Sequence, residues 1–166
     1  MVFGKQQTSI VSDLPWGNVI PERLYLVFLD MSAFSGAYNK NGLFFKHANL
    51  SEITVSVNGM NLYKNNVHFP HQCSQLYYTT MEALGIGNDT LIEFDSFKSG
   101  GRTVMVYSLI AEDIQGTVPL EQSGNLRVSI QLRRGLDENL VILLFGDTKA
   151  VLSINAQRRV VCDSRA

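Results

Sequence analysis

The feature that most constrains this chain is strict two-residue alternation. From Asn125 to Leu132, Leu126, Val128, Ile130 and Leu132 fall on one side, with Arg127, Ser129 and Gln131 on the other. From Ser51 to Val57, Ile53, Val55 and Val57 alternate with Thr54 and Ser56. Successive side chains of a strand point to opposite faces, so both segments read as strands with one face buried and one wet. Asn58-Gly59 follows the second strand directly, and Met60 to Tyr63 can return beside it. A two-residue hairpin turn needs positive φ at both central residues, which Asn-Gly tolerates best.

Other strand-length segments are apolar without alternation: Leu24 to Leu29, Val104 to Ile110 and Leu140 to Phe145. In a sheet, such a run implies that both faces are covered. One face belongs to the core. The other meets either a loop of the same chain or a neighbouring subunit, and the runs alone do not choose. Tyr25, Val27, Met105, Tyr107, Val141, Leu143 and Phe145 are the candidate subunit-interface positions on these strands. Val151 to Ile154 and Arg159 to Cys162 read as a last pair. Cys73, Leu76, Tyr77, Thr80, Met81 and Leu84 share a helical stripe, so one helix is expected from about Gln72 to Leu84, ended by Gly85. The inventory is an all-β, jelly-roll β-sandwich of about eight strands with one short helix, in a single domain over residues 1–166.

Composition narrows function by exclusion. The 14 Lys and Arg nearly balance the 15 Asp and Glu, so the basic surplus of a nucleic-acid binder is missing. No stretch approaches the roughly 18 apolar residues of a membrane-spanning helix. Met1 to Gln7 lacks the apolar region of a secretory signal, and Cys73 and Cys162 are too few for a disulfide framework, so a reduced intracellular setting is expected. The glycosylation triplets at Asn49 and Asn88 are then expected to stay unmodified.

Candidate chemistry is thin. His68 and His71 with Cys73 are the best metal-ligand set, but Pro70 intervenes and no fourth ligand has recognisable spacing. The competing reading is a loop entering the helix, with Cys73 on its apolar face. Glu93 and Asp95 would share one side of a strand, where paired acids are usually solvated. Arg133-Arg134 and Arg158-Arg159 are isolated basic pairs. No Gly-x-Ser-x-Gly elbow or Walker spacing occurs. No catalytic residue, metal or cofactor is expected.

Three segments in order carry a family resemblance: RLYLVFLDMSAFSGAY (23–38) with NKNGLFFKH (39–47), NLSEITVSVNG (49–59), and GNLRVSIQLRRGLDENLVILLFGDTKAVLSINAQRRVVCD (124–163). Together they resemble the C-terminal jelly roll of the major capsid proteins of Polinton/Maverick elements, the adintovirus-like hexon proteins. The likeness spans most of residues 14–163, including Leu14-Pro15-Trp16-Gly17, and is weakest between Asn65 and Asp95. It implies a capsid structural protein, or a host-domesticated derivative of a transposon gene, that forms homo-oligomers or joins other capsid subunits in a virion. Proteins of that family carry two jelly rolls per chain and form trimers that tile a shell, whereas one is legible here. The alternative from the residues themselves is a lectin-like binding sandwich with Phe34, Tyr38, Phe44 and Phe45 in its loops. A third is a metal-dependent, cupin-like enzyme built on His68 and His71.

Overall fold

The computed structural model describes residues 1–13, 15–85, 92–109, 122–148, 151–155 and 157–163, with backbone alone for 122, 151–153 and 161–163. The Asn88 triplet, Leu14, Ile110 and most of the polar segment from Glu112 to Gly124 lie outside the described residues.

The strands run β1 (Val2–Phe3), β2 (Ser9–Asp13), β3 (Val19–Ile20), β4 (Arg23–Asp30), β5 (Leu50–Val57), β6 (Met60–Asn66), β7 (Val104–Ser108), β8 (Gln122–Ser123), β9 (Leu126–Leu132), β10 (Leu140–Asp147), β11 (Val151–Ile154) and β12 (Val160–Asp163). Helices are α1 (Met31–Phe34), α2 (Ser74–Leu84) and α3 (Phe94–Lys98). Two four-stranded antiparallel sheets form the body, in the orders β1-β10-β4-β7 and β2-β9-β5-β6. Setting aside the short pair β3-β8 and the terminal hairpin β11-β12, first pairs with last (β1 with β10), then β2 with β9, β4 with β7, and β5 with β6. This is one long antiparallel hairpin rolled on itself and joined by β10-β4 and β5-β9 contacts, which is the jelly-roll sandwich the alternation predicts.

The core lies between the sheets. One sheet supplies Leu24, Leu26 and Phe28 from β4, and Leu140 and Ile142 from β10. The other supplies Ile53 and Val55 from β5, and Val128 and Ile130 from β9, all at 0 % exposure. Each such side chain contributes roughly 1.5–3 kcal/mol on burial. Asn58 and Gly59 take φ of 52° and 80°, as the hairpin turn requires.

The helical stripe appears as α2, with Cys73 at its N-cap and Gly85 at φ 64° ending it. Two helices were not expected. At α3, Glu93 is extended at the N-cap and Asp95 sits in the first turn, ion-paired to Lys98 in the last. Glu93 and Asp95 therefore do not share a strand face. The acid-first, base-last order suits the helix dipole, and Phe97 anchors the turn at 0 % exposure. At α1, the chain leaving β4 turns helical over Met31–Phe34.

A candidate interaction surface

Residues directly opposed in a ladder share a face, so the pairing assigns every outward position. On the β2-β9-β5-β6 sheet, Asp13, Arg127, Ser56 and Asn61 form one outward row, and the exposed Val11 with Ser129, Thr54 and Lys64 form the next. Arg127 bonds Asp13 at 3.1 Å, Lys64 reaches Glu52 at 3.7 Å, and the Ser56 hydroxyl donates to Asn61 Oδ1 at 2.7 Å. The first row floors a shallow polar depression with Gly59 and Asn125. The charged side chains of this face pair with one another.

The β1-β10-β4-β7 sheet is the opposite. Its outward rows read Val2, Val141, Leu29; then Leu143, Val27, Val104; then Phe145, Tyr25, Val106. Only the last row, Asp147, Arg23 and Ser108, is polar. Val27, Leu29, Val106 and Val141 are buried although they lie outside the sandwich core, as do Ala33 of α1 and Met81 and Ala83 of α2. Helix α1 lies against β4 and β10, and α2 against β7. Part of the apolar face is thus covered by the protein's own elements.

This divides the candidate interface positions. Met105 and Tyr107 are corrected: both point into the sandwich core at 0 % exposure, because Met105 opposes Leu26 and Tyr107 opposes Leu24 on the inward side. Val27 and Val141 do point outward but are already buried. Tyr25 and Leu143 are half-buried and Phe145 is 56 % exposed, with Tyr25 directly opposite Phe145. These three form a contiguous patch. Its polar end is tied down, since Asp147 accepts from the Arg23 amide at 2.8 Å and from the Tyr25 hydroxyl at 3.2 Å.

A second apolar feature lies in the loop between β4 and β5. Phe34, Tyr38, Leu43 and Phe44 are exposed, and Phe45 is half-buried. The loop is held firmly. Lys46 N donates to Phe28 O at 3.0 Å, Phe45 N donates to Gly101 O at 2.7 Å, and the poorly exposed Asp30 carboxylate pairs with Lys46 at 2.7 Å and Lys40 at 3.8 Å. Side chains on a pinned backbone are already oriented for a partner.

The candidate metal-ligand residues lie in the turn that enters α2, with His71 exposed and His68 half-buried. His68 and His71 meet edge to face with ring centroids 6.0 Å apart, and Cys73 is buried with its thiol donating to Pro70 O. Burial pushes the Cys73 thiol up. Among the described residues no cluster of three or more His, Cys, Asp or Glu is placed to hold a metal ion. Arg133 and Arg134 are exposed, as are Arg158 and Arg159 at the tip of the terminal hairpin. No helix among the described residues is long and apolar enough to cross a membrane. No protein-family model, curated protein or solved structure matches the chain.

Proposed function

We propose that this protein is a structural subunit, a capsid-type jelly roll or a domesticated derivative of one, that works by associating with copies of itself or with related capsid subunits. The observation that carries the reading is the asymmetry of the sandwich. One outer face is mostly polar, its charged side chains paired and Val11 its exposed apolar residue on β2, while the other is mostly apolar and still presents Tyr25, Leu143 and Phe145. Exposed apolar clusters of this kind mark association surfaces. The resemblance to Polinton/Maverick capsid proteins points the same way, as does the rolled topology, which capsid proteins share with lectins and cupins. A non-catalytic role in an intracellular setting, or in a virion, belongs to the same reading.

Light scattering after size exclusion, across a wide concentration range, is the deciding experiment. A discrete oligomer supports the proposal, and a monomer at every concentration rejects self-association and leaves related capsid subunits as the partner to be tested. The exposed Phe34, Tyr38, Leu43 and Phe44 favour a second reading, a ligand-binding sandwich. Glycan-array binding by a persistent monomer is the result that would select it.

A further inference from the structure

The chain holds two Asn-Gly pairs, Asn41-Gly42 and Asn58-Gly59. Such a pair is open to cyclisation, because glycine has no Cβ to shield its backbone nitrogen from the preceding side-chain amide. The fold gives the two identical pairs opposite surroundings.

Asn58 is clasped from across the sheet. Its N–H donates to Asn125 O at 2.8 Å, and its Oδ1 accepts the Asn125 N–H at 2.9 Å. Its side-chain amide also lies against Gly124, so closely that a Cβ there would collide with it. Swinging this amide over the Gly59 nitrogen would break the bond to Asn125.

Asn41 turns on itself instead. Its Oδ1 accepts the Leu43 N–H at 2.9 Å, and its backbone carbonyl accepts the Phe44 N–H at 3.3 Å. The ring closed by the first bond includes the Gly42 nitrogen, so Cγ is folded toward that nitrogen. The same bond draws electrons from Cγ and is in place for the oxyanion that forms on attack. Asn41 and Gly42 are both exposed, and a Cβ on Gly42 would meet nothing nearer than Ala33 O at 3.8 Å. Solvent therefore reaches the reacting atoms.

We infer that Asn41 is a self-modification site, converting to aspartate and isoaspartate, while the fold spares Asn58. The Gly42 nitrogen bonds to Asn41 Cγ, and the Cγ–Nδ2 bond breaks. Ammonia leaves with the proton that the Gly42 amide gives up through solvent. Water then opens the succinimide at either of its carbonyls. The product is a new carboxylate next to Lys40, in the loop that presents Phe34, Tyr38, Leu43 and Phe44. Isoaspartate also adds a carbon to the backbone of that loop.

The test is peptide mapping by mass spectrometry of the full chain, aged at physiological temperature both folded and in denaturant. The ratio of conversion at Asn41 to conversion at Asn58 should be at least about 10-fold higher in the folded protein, since rate follows the orientation of the reacting groups. Gly42→Ala should slow conversion at Asn41 and leave Asn58 as it was. The fold accommodates that methyl, because Gly42 is not at positive φ and has room for it. A ratio that is unchanged or lower on folding overturns the inference, as does conversion at Asn41 undiminished in Gly42→Ala.

Discussion

His47 shows how one side chain can couple this fold to pH. Its ring stacks on Phe69 at 4.8 Å, and its Nδ1 accepts the Asn49 N–H at 3.3 Å across a turn in which Ala48 and Asn49 both have positive φ. A protonated ring cannot accept that bond, and burial pushes the His47 imidazole below its ordinary value. The unfolded chain, with histidine near 6.5, then binds the proton more readily than the folded one. Stability therefore falls as pH drops through about 6.5, until the folded-state value is passed. Denaturant midpoints at pH 7.5 and 5.5 should differ less in His47→Gln than in the parent, and that difference isolates His47 from the carboxylates. Tyr107 carries a different cost. Its ring is wholly buried, but its hydroxyl lacks a partner among the described residues, and burial beside Tyr63 pushes its ionisation up. Tyr107→Phe removes an unpaired polar atom and keeps the ring. It should be neutral or stabilising by about 1 kcal/mol in chemical denaturation, where a loss of similar size would show that the hydroxyl is satisfied.

Elements were legible where their sequence carried a phase. Alternation located β5 and β9 and named their inward residues, and the Asn58-Gly59 turn fixed the β5-β6 hairpin. The stripe from Cys73 to Leu84 located α2. A continuous apolar run carries no phase, which is why Met105 and Tyr107 were placed outward: only the register with β4 decides the faces of β7. Helix α3 was missed because its five residues, FDSFK, are too few to show a period. Edge protection makes a prediction at this scale. Thr80→Val keeps the shape of a buried residue but strips the acceptor from the Val106 N–H. Leaving that amide unpaired should cost about 1–3 kcal/mol in equilibrium unfolding, with faster exchange at Val106, whereas Thr80→Ser should retain most of the stability.

At the scale of the molecule, the two outer faces make opposite demands on the solvent. The face built on Asp13, Arg127, Glu52 and Lys64 holds exposed ion pairs, which salt screens and which contribute little. The patch of Tyr25, Leu143 and Phe145 is apolar apart from the Tyr25 hydroxyl, which is engaged by Asp147. With 14 basic and 15 acidic residues, the chain as a whole carries no large field to drive or oppose association. Association through the apolar face should therefore persist from about 0.1 M to 1 M sodium chloride, across which the screening length shrinks from about 10 to 3 Å. Sulfate, which is excluded from protein surfaces, should strengthen it. Association through the polar face would weaken over the same salt range, because its contacts would be made by screened charges. Mass measured by light scattering along that series separates the faces without any substitution. An oligomer that dissolves at high salt would move the assembly surface to the polar sheet and remove the asymmetry argument for a structural role.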